Sequence, residues 1–271
     1  MQGIKEFIDT DRKVEYINTL LNVGFHTIDV GSFVSPKAIP QMRDTGEMLK
    51  KLNLNEHSSS LLAIVANSRG AHDAVNFEEI EYLGYPFSIS ETFQLRNTNA
   101  TIEESYQKLA RIQSIAIKNK KKLVVYLSMG FGNPYGDPWN VEIVEEFVTS
   151  MASMGIRVLS LSDTIGVSTP ESISYLFSDL IPKFPEIKFG AHLHTTPDKW
   201  EEKVHAAYDN GCRRFDGAIK GYGGCPMAKD DLTGNMPTEK MLSYFQKHEI
   251  QTHLDFDKFE KALTASNKIF L

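Results

Sequence analysis

Seven short runs rich in apolar and β-branched residues alternate with segments that carry helix signals. This alternation constrains the chain more than any other feature. The runs are His26–Phe33, Ser60–Ala66, Ile80–Ser88, Lys122–Met129, Val158–Ser162, Lys188–His194 and Arg213–Ile219. Strands separated by helices at this spacing form a parallel sheet, because a right-handed helical crossover is how consecutive strands come to lie parallel. About 30 residues per unit suits a TIM (β/α)8-type barrel. A doubly wound open sheet is the competing arrangement.

The helix signals are specific. Thr101-Ile-Glu-Glu104 is a capping box, and Thr169-Pro170 pairs an N-cap with a proline at the first helical position. Residues 140–154 place Ile143, Val144, Phe147, Val148, Met151 and Met154 on one helical face, and Gly155 ends the helix. The helix after Asp198 ends at Gly211 in the same way, and two more are expected near 238–247 and 256–268. The chain itself starts with a helix, capped at Thr10, with Val14, Ile17, Leu20 and Leu21 on one face and Gly24 at its end. No strand precedes it. A closed barrel wants eight strands, since an open edge leaves backbone groups unpaired. The expectation is therefore one domain over residues 1–271, a barrel incomplete at its N-terminus, with the first strand missing. Such an edge would invite a homodimer.

Composition narrows the partners. A chain of 271 residues, 41% hydrophobic and 24% charged, affords a sizeable core. A net charge of −6 argues against nucleic-acid binding. No apolar run is long enough to span a bilayer, and MQGIKEFIDTDRK has no apolar core of a signal peptide. Two cysteines, Cys212 and Cys225, make no disulfide framework. These readings point to a cytosolic protein with no membrane partner.

In a parallel barrel, chemistry gathers at the C-terminal strand ends. His192 and His194 stand there two apart in AHLHTT, on one face of a strand, and could hold one divalent ion. Mg or Mn would suit a set of imidazole and oxygen donors, and Zn is a further option. GYGGCPMAKDDLTGN (221–235) reads either as a Gly-rich turn or as a phosphate cradle. Within it Cys225 is a thiol placed for proton transfer, and Asn235 offers an amide oxygen to a metal. Asp163 lies at the mouth or caps the next helix, and Asp29 poses the same choice. GFGNPYG (130–136) is a substrate-facing loop, not a dinucleotide fingerprint.

Together, SFVSPKAIPQM (32–42), NTNATIEES (97–105), LSDTIGVSTP (161–170), HLH (192–194) and GGCP…TGN (223–235) resemble the 3-hydroxy-3-methylglutaryl-CoA lyase family. This family belongs with metal-dependent barrel lyases and Claisen-type synthases. The resemblance implies a retro-Claisen cleavage of an acyl-CoA substrate, as in leucine degradation, with Mg or Mn as cofactor. It implies His192, His194 and Asn235 as metal ligands and Cys225, Asp163 and Asp29 as catalytic residues. Ser32 and Asn99 would bind substrate, and Gly223 and Gly224 would belong to the mobile loop. The base taking the substrate's hydroxyl proton would be Asp163. Departures are visible. Asp29 stands where the family has glutamate, Tyr222 and Met227 replace leucine and tyrosine, and the Cys225-to-Asn235 spacing is one residue longer. The family's first strand ends in Arg-Asp-Gly-Leu-Gln, of which Met1-Gln2 matches only the end. The expectation is a shortened chain lacking that Arg-Asp. A synthase acting on another acyl-CoA and a non-enzymatic incomplete barrel are the competing readings.

Overall fold

The computed structural model describes residues 1–271 except 3, 5, 56, 224–232 and 271. In chain order the elements are α1 (Thr10–Leu21), β1 (Thr27–Ser32), α2 (Thr45–Lys51), β2 (Ser60–Ile64), α3 (Ser68–Val75), β3 (Ile80–Ser88), α4 (Glu91–Thr98), α5 (Ile102–Lys118) and β4 (Lys122–Ser128). There follow α6 (Val141–Ser153), β5 (Val158–Asp163), α7 (Pro170–Lys183), β6 (Lys188–Thr195), α8 (Trp200–Asp209), β7 (Gly234–Asn235), α9 (Thr238–Lys247) and α10 (Phe256–Phe270). The chain divides into two compact units. One comprises Met1–Gly84, Ser114–Lys122 and Phe245–Leu271; the other comprises Tyr85–Gln113 and Leu123–Tyr244. The first is discontinuous because the C-terminal helix returns to the N-terminal one: Tyr16 meets Phe270 edge-to-face, ring centroids 6.0 Å apart.

In the first unit, α1 is capped by Asp9, whose carboxylate accepts from the Asp11 amide. Thr10 is not the cap; its hydroxyl donates to Asp44 instead, at 2.7 Å. The buried face of α1 is Lys13, Tyr16, Ile17 and Leu21. Lys13 reaches the core because its ammonium is met by Asp44 (2.8 Å) and the Gln41 carbonyl. β1 and β2 pair in parallel, and β2 pairs with β3 likewise. A bulge in β1 changes the phase of its side chains. Asp29 sits opposite Leu62 and Ser32 opposite Ile64, so these two residues, three apart in sequence, share a face.

In the second unit, the ladder runs in sequence order from β3 through β4, β5 and β6, with β4–β5 and β5–β6 parallel. A doubly wound sheet would reverse its order at a switch point. The sequential winding seen in each unit is that of a (β/α)8-type fold. Helix signals behave as their chemistry requires. Asn140 caps α6 through the Ile143 amide (2.7 Å), Val144, Val148 and Met151 are buried, and Gly155 leaves in the left-handed region at φ 80°. Thr169 and Ser172 form a reciprocal capping box at α7, which buries Ile173, Leu176, Phe177 and Leu180.

The seventh strand is a correction. Residues 213–219 form no continuous ladder. Ala191 donates to the Arg214 carbonyl and accepts from the Asp216 amide, but Ala218 then exchanges bonds with Met236 and Thr238. The segment's backbone groups are split between two neighbours, so neither pairing extends beyond an isolated bridge. The seventh strand among the described residues is β7, which runs antiparallel to β6 with Asn235 opposite His194. No helix among the described residues is long and apolar enough to cross a membrane.

Candidate active site

β6 carries the site, and its pleat decides which residues face inward. Gly190, His192 and His194 alternate on one side of the strand. On β5, Ser160 lies opposite Gly190 and Ser162 opposite His192. The ring centroids of His192 and His194 are 5.7 Å apart, and Tyr126 on β4 meets His192 in a T-shaped contact with centroids 5.4 Å apart.

Each histidine has a partner behind its Nδ1. For His194 it is the Thr233 carbonyl at 3.1 Å. A carbonyl only accepts, so Nδ1 holds the proton and Nε2 keeps its lone pair. Burial, then the neighbouring His192, push the His194 pKa down to about 4, which keeps the ring neutral. His192 instead faces the Asp216 carboxylate at 3.4 Å. Asn235 donates its amide N–H to the Tyr222 carbonyl at 2.9 Å, which directs its Oδ1 elsewhere. That approach needs glycine: a Cβ on Gly223 (φ 97°) would lie 2.9 Å from the Asn235 amide nitrogen, and one on Gly221 (φ 64°) 2.8 Å from its carbonyl oxygen. Asn235 stands opposite His194 on the neighbouring strand, and two imidazole nitrogens with one amide oxygen would be a set that fits a hard or borderline divalent cation completed by further oxygens. Among the described residues, no three or more His, Cys, Asp and Glu side chains are grouped so that they could hold a metal ion by themselves.

Asp163 is held by the turn that follows β5. It closes β5, yet its side chain is 0% exposed. Oδ1 accepts from the Val167 amide (2.9 Å); Oδ2 accepts from the Ser168 amide (3.0 Å), the Ser168 hydroxyl and the Lys203 ammonium (2.9 Å). Oδ2 is thus taken up by three donors and Oδ1 by one, so Asp163 organises the turn at 163–168. Lys203, on α8 and 1% exposed, also donates to the carbonyls of His194 (2.9 Å) and Gly166 (3.2 Å).

Asp29 and Ser32 belong to the first unit. Asp29 is exposed and accepts from the Gly31 amide at 3.2 Å. The Ser32 hydroxyl is buried and has no partner among the described residues, the kind of group a ligand can satisfy. Asn99 has a structural role: it ends α4 in the left-handed conformation at φ 50°, a position asparagine tolerates well. The loop at 130–136 is tied down rather than open. Asn133 accepts from the Tyr135 and Asp137 amides, and Asp137 accepts from the Ser90 hydroxyl and from the amide and hydroxyl of Thr92. Burial opposes the Asp137 charge, but these donors outweigh it and hold the carboxyl below its ordinary value. Cys225 and Gly224 lie outside the described residues.

Sequence reasoning missed Lys203, Asp216, Arg214 and Ser160. A signal existed for two of them: Arg214 and Asp216 are charged and two apart in a run otherwise read as a strand. Asp216 accepts from the Ser160 hydroxyl at 2.7 Å, and its other oxygen lies 3.4 Å from Arg214. Burial works against its charge, but His192, Arg214 and Ser160 offset this and hold its carboxyl below the ordinary range.

The model of the HMGL-like family matches residues 1–265. The chain belongs to this family. Its HMGL-like relatives include the hydroxymethylglutaryl-CoA lyase of Bacillus subtilis, 32% identical over 99% of this chain and 88% of that protein. The crystal structure of a B. subtilis HMG-CoA lyase superposes with a TM-score of 0.91 at 31% identity, covering 98% of this chain and 89% of that one. An HMG-CoA lyase from Acinetobacter baumannii, solved with coenzyme A and 3-methylmalate, gives a TM-score of 0.89 at 30% identity over 97% of this chain and 85% of that one.

Proposed function

We propose that this chain cleaves 3-hydroxy-3-methylglutaryl-CoA to acetyl-CoA and acetoacetate. The observation that carries the reading is the near-full-length match to HMG-CoA lyases. The histidine pair, engaged at Nδ1 and bare at His194 Nε2, supports it. In this reaction the C3 hydroxyl loses its proton and the bond between C2 and C3 breaks. Its electron pair passes to C2 as a thioester enolate, and C2 is then protonated. A Mg or Mn ion held by His192, His194 and Asn235 would polarise the substrate's hydroxyl and carbonyl oxygens. Cys225, by its place in the GGCP motif, is the proposed proton donor to C2. The Lys203–Asp163 pair holds the turn and the His194 backbone that position these groups. Asp163 is the proposed base for the hydroxyl proton, through the Oδ1 lone pair that the Val167 amide leaves.

The test is acetoacetate release from HMG-CoA by the purified chain, with EDTA and with added Mg or Mn. Cleavage that requires the cation and is lost in His192→Ala is expected. Folded protein that cleaves nothing in any condition overturns the proposal. Condensation of an acyl-CoA without cleavage reassigns the site to a Claisen-type synthase.

A further inference from the structure

The two histidines are held by unlike partners. His194 leans on a backbone carbonyl, which no side-chain substitution removes. His192 leans on a carboxylate, and that carboxylate is itself clamped. Ser160 donates to the same Asp216 oxygen that faces His192 Nδ1, so this oxygen is an acceptor only. Arg214 faces the other oxygen and fixes the charge in place. Room for Arg214 exists because residue 190 is glycine: a Cβ there would lie 2.9 Å from Arg214 Cδ and 3.0 Å from the Ser160 hydroxyl. A bare Nδ1 lone pair pointed at a carboxylate would be repelled, whereas an N–H is attracted.

From this geometry we infer that Asp216 is a positioning residue that holds His192 as the Nδ1–H tautomer, with Ser160 and Arg214 as its clamp. The lone pair of Nε2 is thereby presented to the site. The inference deepens the metal-site reading of the proposed function, and part of its test is independent of any metal. Partners of this kind behind a ligating imidazole alter metal affinity by about 10–100-fold when removed. Asp216→Asn sharpens the case. The amide has one oxygen, which the Arg214 cation attracts, so its NH2 turns toward His192 and favours the opposite tautomer.

The experiment is histidine-selective 15N NMR on the metal-free protein at neutral to mildly alkaline pH, followed by Mn titration of the same samples. In the wild type, a protonated Nδ1 and a bare Nε2 on His192 are expected. Asp216→Asn should move the proton to Nε2, and Asp216→Ala should mix the two forms. Mn affinity should fall by about 10–100-fold in both. His194 should keep its tautomer throughout. A wild-type His192 protonated at Nε2, or an unchanged tautomer in Asp216→Asn, overturns the inference. If the wild type binds no Mn, the metal reading fails while the tautomer result still decides the role of Asp216. If Asp216→Ala does not fold, Asp216→Asn and Ser160→Ala carry the comparison, with Ser160→Ala expected to weaken the preference and an unchanged preference in both overturning the clamp.

Discussion

Replacing Lys203 with methionine keeps most of the side-chain volume and deletes one charge. In the folded protein that ammonium serves three acceptors at once: Asp163 at 2.9 Å, the His194 carbonyl at 2.9 Å and the Gly166 carbonyl at 3.2 Å. Both partners of the ion pair are shielded from water, at 1% and 0% exposure, so no solvent can take the place of the lost cation. Removing one member of a buried pair costs about 3–5 kcal/mol, because the other charge stays buried without compensation. Against a typical domain stability of about 5–15 kcal/mol this is a large fraction. With a urea dependence of about 3 kcal/mol per molar, the unfolding midpoint followed by far-UV circular dichroism should fall by roughly 1–1.7 M. Adding Asp163→Asn to Lys203→Met removes the stranded charge and keeps an oxygen for the turn amides. The double variant should therefore lose less than the sum of the two single losses. A single-variant shift below about 0.3 M, or strict additivity, would refute the claim that this pair holds the turn.

Other outcomes follow from the same contacts. His194 has a folded-state pKa of about 4 against about 6.5 unfolded, so below pH 6.5 the unfolded chain binds the extra proton. Stability should be level above that pH and fall by about 3 kcal/mol by pH 4, a slope absent from His194→Gln; equilibrium unfolding at pH 7, 5 and 4 measures it. Gly190→Ala should cost about 1–3 kcal/mol in urea unfolding, because its Cβ meets Arg214 and Ser160 within 3.0 Å. Gly223→Ala places a side chain 2.9 Å from the Asn235 amide in a left-handed backbone, and should weaken Mn binding in calorimetry while leaving His192 in its original tautomer.

The elements that sequence reasoning located well are those set by short-range chemistry. Asn140 and Gly155 bound α6, and the Thr169 box starts α7, because caps act within one helical turn. The shared face of His192 and His194 follows from the two-residue pleat alone. Asn99 shows the limit: NTNATIEES gives no sign that this asparagine also stops α4 in a left-handed backbone conformation. Lys203 shows a different limit. A lysine on an amphipathic helix reads as solvent-facing, and only the arrival of Asp163, the His194 carbonyl of β6 and the Gly166 carbonyl of the turn after β5 makes its burial affordable.

By itself, then, the sequence determined the alternating α/β winding, the paired histidines at a strand end and the family resemblance, since each is written in spacing along the chain. Tertiary structure alone decided three other features: which acceptor stands behind each imidazole, that Asp163 is caged, and that residues 213–219 divide their hydrogen bonds while Gly234–Asn235 pairs with β6. The physical reason is common to all three. A hydrogen-bonding group can be read from sequence, but its partner is whichever group the register brings within about 3 Å, and here those partners come from 4 to 56 positions away.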